Sequence, residues 1–127
     1  MNRYHILCVE DEIMSQEVHV EFLSELNDVE ISTADGGPAC LDAVKKSRPD
    51  LILLDVKMPI MSGFEVCDIL KSSPETADIP IIFLSGLAGD RELEKAMKCG
   101  GEGYLTKPFS MSELLNVVTE QMEKDRG

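Results

Sequence analysis

Positive charge is scarce in this chain. Of its 127 residues, 12 are lysine or arginine and 24 are aspartate or glutamate, which gives a net charge of −12 at pH 7. Because like charges repel, this balance disfavours nucleic acid and anionic membrane surfaces as direct partners and favours cations and basic protein surfaces. Long apolar runs are also missing, since a run such as residues 51–54 has only the length of a strand. We therefore expect no membrane-spanning segment.

Metal-binding cysteine and histidine motifs are missing as well. The four cysteines form no C-x-x-C pair, and the two histidines, His5 and His19, lie far apart in the chain. We expect four buried free thiols and no histidine-based metal site. No P-loop or glycine-rich dinucleotide fingerprint occurs, and no signal-peptide pattern precedes the first apolar segment. Reduced thiols and the absence of that pattern lead us to expect a cytoplasmic protein.

The length and composition are those of one globular domain. Hydrophobic residues make up 43% of the chain and charged residues 28%, an ordinary balance for a folded protein. We expect residues 1–127 to form a single domain without an output domain, whether the chain stands alone or belongs to a longer protein.

Strand and helix patterns alternate along the chain. Short apolar or alternating runs predict strands at residues 6–9, 29–34, 51–54, 81–84 and 104–106, each followed by a helical pattern. Run 51–54 has no polar alternation, which is typical of a strand buried on both faces. Because parallel strands need a crossover to return to the same end, we predict an α/β doubly wound fold with a parallel sheet and helices on both faces.

Helical spacing also predicts which apolar side chains face the core. The first helix is expected over residues 13–26, and its predicted inner face consists of Met14, Val18, Phe22 and Leu26. The fourth helix is expected to turn Leu93, Ala96 and Met97 inward before a glycine cap at Gly100. The last helix opens with a capping box from Ser110 to Glu113, and its predicted inner face consists of Met111, Leu114, Leu115, Val118 and Met122.

Chemically active side chains follow the predicted strands at their carboxyl ends. They are Glu10, Asp11 and Glu12 after the first strand, Asp55 after the third, Ser85 after the fourth and Lys107 after the fifth. These ends meet at one edge of a doubly wound sheet. Crowded carboxylates raise one another's pKa, and a divalent cation such as Mg²⁺ relieves that repulsion. A hydroxyl and an ammonium facing a carboxylate suit phosphoryl transfer, so the pattern favours an aspartyl phosphate.

The segments that carry these residues resemble the receiver domain of two-component response regulators. The resemblance rests on residues 6–12, 51–63, 81–86 and 104–109 and extends over nearly the whole chain. It implies a (βα)5 flavodoxin-like fold with strand order 2-1-3-4-5 and a phosphoaccepting switch in a phosphorelay. The implied partners are a sensor histidine kinase or histidine phosphotransfer protein, a downstream protein or fused output domain, and a second copy in a phosphorylation-dependent homodimer.

The resemblance also implies which residues accept the phosphoryl group and hold the metal. Asp55 would be the phosphoacceptor. Glu10, Asp11, Asp55 and the backbone carbonyl of Lys57 would hold Mg²⁺ or Mn²⁺. The chain would assist its own phosphorylation and autodephosphorylation without being an enzyme in the ordinary sense.

Three further residues would relay the modification to the surface formed by the fourth helix, fifth strand and fifth helix. Ser85 and Lys107 would each bind a phosphoryl oxygen, and Tyr104 would turn inward when Ser85 moves. Leu87 cannot position an attacking water, so we expect the phosphorylated state not to be short-lived. The resemblance leaves open whether the peptide bond before Pro108 is cis or trans.

Two other classes of function compete with this switch. A phosphohydrolase of the haloacid dehalogenase family needs a second aspartate two residues after its nucleophile, and Lys57 stands there. A phosphorylation-independent, receiver-like interaction module remains the alternative. The intact set of Asp11, Asp55, Ser85 and Lys107 disfavours that alternative.

Overall fold

The computed structural model describes residues 3–86 and 89–126, and within them five strands alternate with five helices. The strands are β1 (Tyr4–Val9), β2 (Val29–Ala34), β3 (Leu51–Asp55), β4 (Ile81–Ser85) and β5 (Gly103–Thr106). The helices are α1 (Ile13–Leu23), α2 (Gly37–Lys46), α3 (Gly63–Lys71), α4 (Asp90–Lys98) and α5 (Met111–Arg126). The strands are parallel and lie in the order β2-β1-β3-β4-β5. The predicted fold and strand order are confirmed.

The sheet separates two apolar layers. One contains buried side chains of α2, α3 and α4, and the other contains those of α1 and α5. Strand β3 contributes to both, because Ile52 and Leu54 face the first layer while Leu51 and Leu53 face the second. All four side chains have no exposed surface, which confirms the prediction that this run is buried on both faces.

Local signals at the helix ends are also confirmed. The Ser110 Oγ accepts a hydrogen bond from the Glu113 backbone N–H, and the Ser110 N–H donates to Glu113 Oε1, both at 3.1 Å. Gly100 ends α4 with φ of 94°, a left-handed conformation that glycine adopts without strain. The Lys107–Pro108 peptide bond, which the sequence left open, is cis.

The predicted inner face of the first helix was wrong for two of its four residues, Met14 and Val18. Helix α1 ends at Leu23, three residues earlier than expected, and Met14 is 81% exposed and Val18 45% exposed. The buried side chains are His19 and Leu23. A line of i+4 steps drifts around a helix because four residues exceed one turn of 3.6. The predicted line therefore starts at the surface with Met14 and Val18 and reaches the sheet side only at Phe22 and Leu26, which are half-buried against the second apolar layer. The fully buried positions of the helix include a polar imidazole.

Two apolar residues of α4 were also assigned wrongly to the core. Ala96 is buried as predicted, but Leu93 is 45% exposed and Met97 is 70% exposed. In α5, Leu114, Val118 and Met122 are buried, whereas Met111 is 38% exposed. Among the described side chains of α4, Ala96 is the one that is buried in the apolar layer. The apolar residues beside it lie at the surface.

The thiols largely match their prediction. Cys8, Cys40 and Cys67 are free and buried, whereas Cys99 is free but only half-buried. Burial raises the pKa of Cys8 and Cys40 to about 12.

No helix among the described residues combines the length and apolar character that crossing a membrane requires.

Candidate functional site

The predicted site residues come from the carboxyl ends of four neighbouring strands. Asp55 and Ser85 are the last residues of β3 and β4, whereas Glu10 and Lys107 follow β1 and β5 directly. Strand β3 lies between β1 and β4, and Asp55 is paired in register with Leu84, beside Ser85. The Lys107 N–H donates to the Ser85 carbonyl at 2.7 Å, which ties the loop after β5 to β4.

Three carboxylates and one ammonium group meet at this edge. One oxygen from each of Glu10, Asp11 and Asp55 lies within 4.8 Å of the others. Lys107 Nζ lies 2.8 Å from Glu10 Oε2 and 3.3 Å from Asp55 Oδ2. Glu10 has no exposed surface and Asp55 is 5% exposed. Because charged groups are costly to bury without partners, this arrangement is typical of a functional site.

Burial and mutual repulsion set the protonation of the carboxylates. Burial, followed by the neighbouring Glu10 carboxylate, raises the pKa of Asp55 from 3.8 to about 7. Burial also acts to raise the pKa of Glu10, but hydrogen bonds with Lys107 and Asp55 outweigh it and lower that pKa. Burial acts to lower the pKa of Lys107, and the two carboxylates raise it above its ordinary value. Asp55 is therefore the carboxylate whose negative charge most needs a further cation.

The donor set fits Mg²⁺ or Mn²⁺. Both ions prefer oxygen ligands, and three carboxylate oxygens converge here against a single neutralising lysine. Glu10, Asp11 and Asp55 could hold the ion. The Lys57 backbone also lies at this edge, because its N–H donates to Asp55 Oδ1 at 3.4 Å. A ligand role for the Lys57 carbonyl stays a prediction.

Ser85 and Tyr104 lie on the neighbouring strands β4 and β5. Ser85 is 1% exposed at the end of β4. Tyr104 is half-buried, packs against the apolar layer beneath α2, α3 and α4, and pairs in register with Phe83 of β4. Their roles in a switch stay predictions. Leu87, on which the expected phosphate lifetime depended, lies outside the described residues.

The loop after β3 depends on one glycine. A Cβ atom on Gly63 would lie 2.3 Å from the Asp55 backbone oxygen, far inside van der Waals contact. The Gly63 N–H instead donates to the Val56 carbonyl at 2.8 Å, which folds the loop back against the end of β3. Gly63 thus allows α3 to begin directly beside the candidate phosphoacceptor.

Sequence reasoning missed one residue beside the site. His19 Nδ1 lies 4.0 Å from Glu10 Oε2, and the ring stacks on Phe109 with centroids 5.1 Å apart. Its spacing from Leu23, one i+4 step, could have revealed it as an inner-face residue. The i+4 line of Met14 and Val18 pointed to a different face.

The sequence matches the response regulator receiver domain family over residues 6–119. The chain belongs to this family. Among curated proteins, the receiver is 43% identical over 80 residues to response regulator PleD of Caulobacter vibrioides, covering 63% of this chain and 18% of PleD. It is 30% identical over 122 residues to a probable transcriptional regulator, ycf29, of Pyropia yezoensis, covering 96% of this chain and 54% of that protein. The receiver thus spans about half or less of the length of these relatives.

Solved structures show the same architecture. Chemotaxis protein CheY4 of Vibrio cholerae matches with a TM-score of 0.87 and 28% identity, covering 93% of this receiver and 98% of CheY4. The receiver domain of sensor histidine kinase PA1611 from Pseudomonas aeruginosa matches with a TM-score of 0.86 and 26% identity, covering 95% of this receiver and 98% of that chain. A magnesium ion is coordinated in the active-site cleft of the PA1611 domain.

Proposed function

We propose that this receiver is a phosphoaccepting signalling switch in which Asp55 takes a phosphoryl group from a phosphohistidine. The observation that carries the proposal is the position of Asp55: a buried carboxylate at the end of the central strand, facing Lys107 at 3.3 Å and two further carboxylates. A carboxylate that served only the fold would gain nothing from this crowding. A carboxylate that accepts an anionic group needs both the lysine and a cation.

The transfer step would be a displacement at phosphorus. A lone pair on an Asp55 carboxylate oxygen forms the new O–P bond while the N–P bond of the phosphohistidine breaks, and the leaving imidazole nitrogen keeps that electron pair and takes a proton from water. Asp55 must first be deprotonated, which its raised pKa opposes. Mg²⁺ held by Glu10, Asp11, Asp55 and the Lys57 carbonyl would supply positive charge that favours the deprotonated carboxylate and offsets phosphoryl charge.

The phosphoryl group would then draw donors away from their resting partners. Lys107 would exchange Glu10 for a phosphoryl oxygen, and the Ser85 hydroxyl would donate to a second one. Because Ser85 and Tyr104 lie on adjacent strands, movement of Ser85 would change the space available to the Tyr104 ring. That change would shift the population of two arrangements of the surface formed by α4, β5 and α5.

The proposed partners follow from this chemistry. A sensor histidine kinase or histidine phosphotransfer protein would donate the phosphoryl group. A downstream protein, a fused output domain or a second copy of the chain would respond to the changed surface. Hydrolysis of the acyl phosphate, assisted by the same site, would reset the switch.

Intact mass after incubation with acetyl phosphate tests the proposal. The wild-type chain should gain one phosphoryl group in the presence of Mg²⁺ and none without it, and Asp55→Asn should gain none. Asp50→Asn is a matched control, because Asp50 lies at the opposite end of β3 and binds the His5 backbone N–H. Equal incorporation by Asp55→Asn and wild type would refute the assignment of Asp55.

The phosphorylation-independent interaction module predicts a different result. Under that reading the wild-type chain gains no mass from acetyl phosphate or from a phosphorylated histidine phosphotransfer protein, although it folds and binds Mg²⁺. The complete set of Asp11, Asp55, Ser85 and Lys107 at one edge of the sheet disfavours that outcome.

A further inference from the structure

His19 carries a buried polar atom that the fold itself does not use. Its side chain is 7% exposed, and Nδ1 has no hydrogen-bond partner among the described residues. Buried polar groups are nearly always satisfied, so an unsatisfied one calls for an explanation. The nearest candidate for a hydrogen-bond partner is in the functional site. Glu10 Oε2 lies 4.0 Å from His19 Nδ1, just beyond hydrogen-bond distance.

The same Glu10 oxygen has another partner in the resting arrangement. Lys107 Nζ donates to Glu10 Oε2 at 2.8 Å. If Lys107 moves to a phosphoryl oxygen, as the proposed function requires, this oxygen loses its donor while Glu10 remains fully buried. A buried carboxylate oxygen without a donor is strongly disfavoured. His19 Nδ1 is the buried nitrogen beside it that lacks a partner.

We propose that His19 is a positioning residue for Glu10, whose Oε2 accepts a hydrogen bond from His19 Nδ1–H when Lys107 leaves for the phosphoryl group. The inference rests on the proposed function, since it concerns the same partner exchange. The stack of His19 on Phe109 holds the ring next to the segment that carries Lys107. Glu10 then keeps its orientation toward the metal while the lysine is engaged elsewhere.

Manganese affinity in a chain that lacks the lysine tests the exchange without a phosphoryl group. In the Lys107→Ala background, His19→Leu should weaken Mn²⁺ binding about tenfold, measured by electron paramagnetic resonance of the free ion. His19→Asn should restore binding because its amide nitrogen can occupy the place of Nδ1, whereas His19→Gln, whose amide lies near the Nε2 position, should not. In the chain that retains Lys107, His19→Leu should change affinity less than about twofold.

Two outcomes of this experiment overturn the inference. One is unchanged Mn²⁺ affinity of His19→Leu in the Lys107→Ala background. The other is the same loss with and without Lys107, because the imidazole would then not replace the lysine. Thermal melting of each variant identifies any chain that fails to fold, and such a chain is excluded from the comparison.

A second measurement uses the unaltered sequence. Nitrogen-15 NMR of the imidazole should show a hydrogen-bonded Nδ1–H for His19 in the presence of acetyl phosphate and Mg²⁺, and none in the untreated chain. Intact mass on the same samples separates the two hypotheses. A phosphoryl adduct without the His19 signal refutes the role of His19 alone. Absence of an adduct from both acetyl phosphate and a phosphorylated histidine phosphotransfer protein refutes the proposed function and leaves the Mn²⁺ experiment to decide on His19.

Discussion

Strand β3 contains two regions with opposite chemistry. Its first four residues, Leu51–Leu54, are wholly apolar and wholly buried. The fifth, Asp55, is nearly as buried but ionisable, and burial and its carboxylate neighbour raise its pKa to about 7. The apolar part stabilises the sheet from both faces, and its end brings together charges that only a cation or a transferred group can fully satisfy. Substitutions in the two regions should therefore affect different quantities.

The largest effect on stability is expected in the apolar part. Leu53 has no exposed surface and packs in the layer formed with α1 and α5. Leu53→Ala should lower the free energy of unfolding by about 2–5 kcal/mol, because it removes buried methyl groups and leaves a cavity. Urea denaturation measures this loss. Variant chains that remain folded should still accept a phosphoryl group. A loss of unfolding free energy below about 1 kcal/mol would mean that this apolar layer is loosely packed.

The second-largest effect on stability is expected where the two regions of β3 meet. Gly63→Ala would place a methyl group 2.3 Å from the Asp55 backbone oxygen, so the loop or the strand end must move. We expect a loss of about 1–3 kcal/mol in unfolding free energy and weaker Mg²⁺-dependent phosphorylation. Gly36→Ala is the matched control, because its added Cβ would meet nothing within 4 Å. Equal behaviour of the two variants would refute a role for the close approach at Gly63.

The charged end should also make metal-free stability depend on pH. Between pH 3.8 and about 7 the folded chain keeps a proton on Asp55 that the unfolded chain has released. Stability should therefore fall as the pH rises through this range. Glu10 has the opposite effect on stability, at lower pH. Because folding lowers its pKa from 4.5, the ionised Glu10 stabilises the folded chain, and this stabilisation is lost on acidification.

Denaturation at several pH values measures this dependence. Asp55→Asn, which removes the titrating carboxyl group, should remove the decline in stability between pH 5 and 7. Saturating Mg²⁺ should reduce the same decline in the wild-type chain, because the ion competes with the proton for the carboxylate. An identical decline in Asp55→Asn would assign the titration to another group.

The sequence predicted both regions of β3 better than it predicted the buried side of α1. Run 51–54 and the polar residues after each strand were recognisable because apolar strands without alternation are buried and parallel strands end at one edge. The buried side of α1 was not recognisable in this way. It includes His19, and hydropathy alone does not reveal an imidazole that packs beside a carboxylate. The resting partners within the site, such as Lys107 with Glu10 at 2.8 Å, depend on side-chain geometry that residue spacing does not specify.

The smallest effect is expected where an apolar residue was predicted in the core and lies at the surface. Met97 is 70% exposed, whereas its neighbour Ala96 is 2% exposed. Met97→Gln should change the free energy of unfolding by less than about 0.5 kcal/mol, because little apolar surface returns to water. Ala96→Gln should destabilise the chain by about 1–3 kcal/mol, since the longer polar side chain must fit against the sheet. Thermal and urea denaturation compare the pair, and a large loss for Met97→Gln would show that this side of α4 is covered in solution.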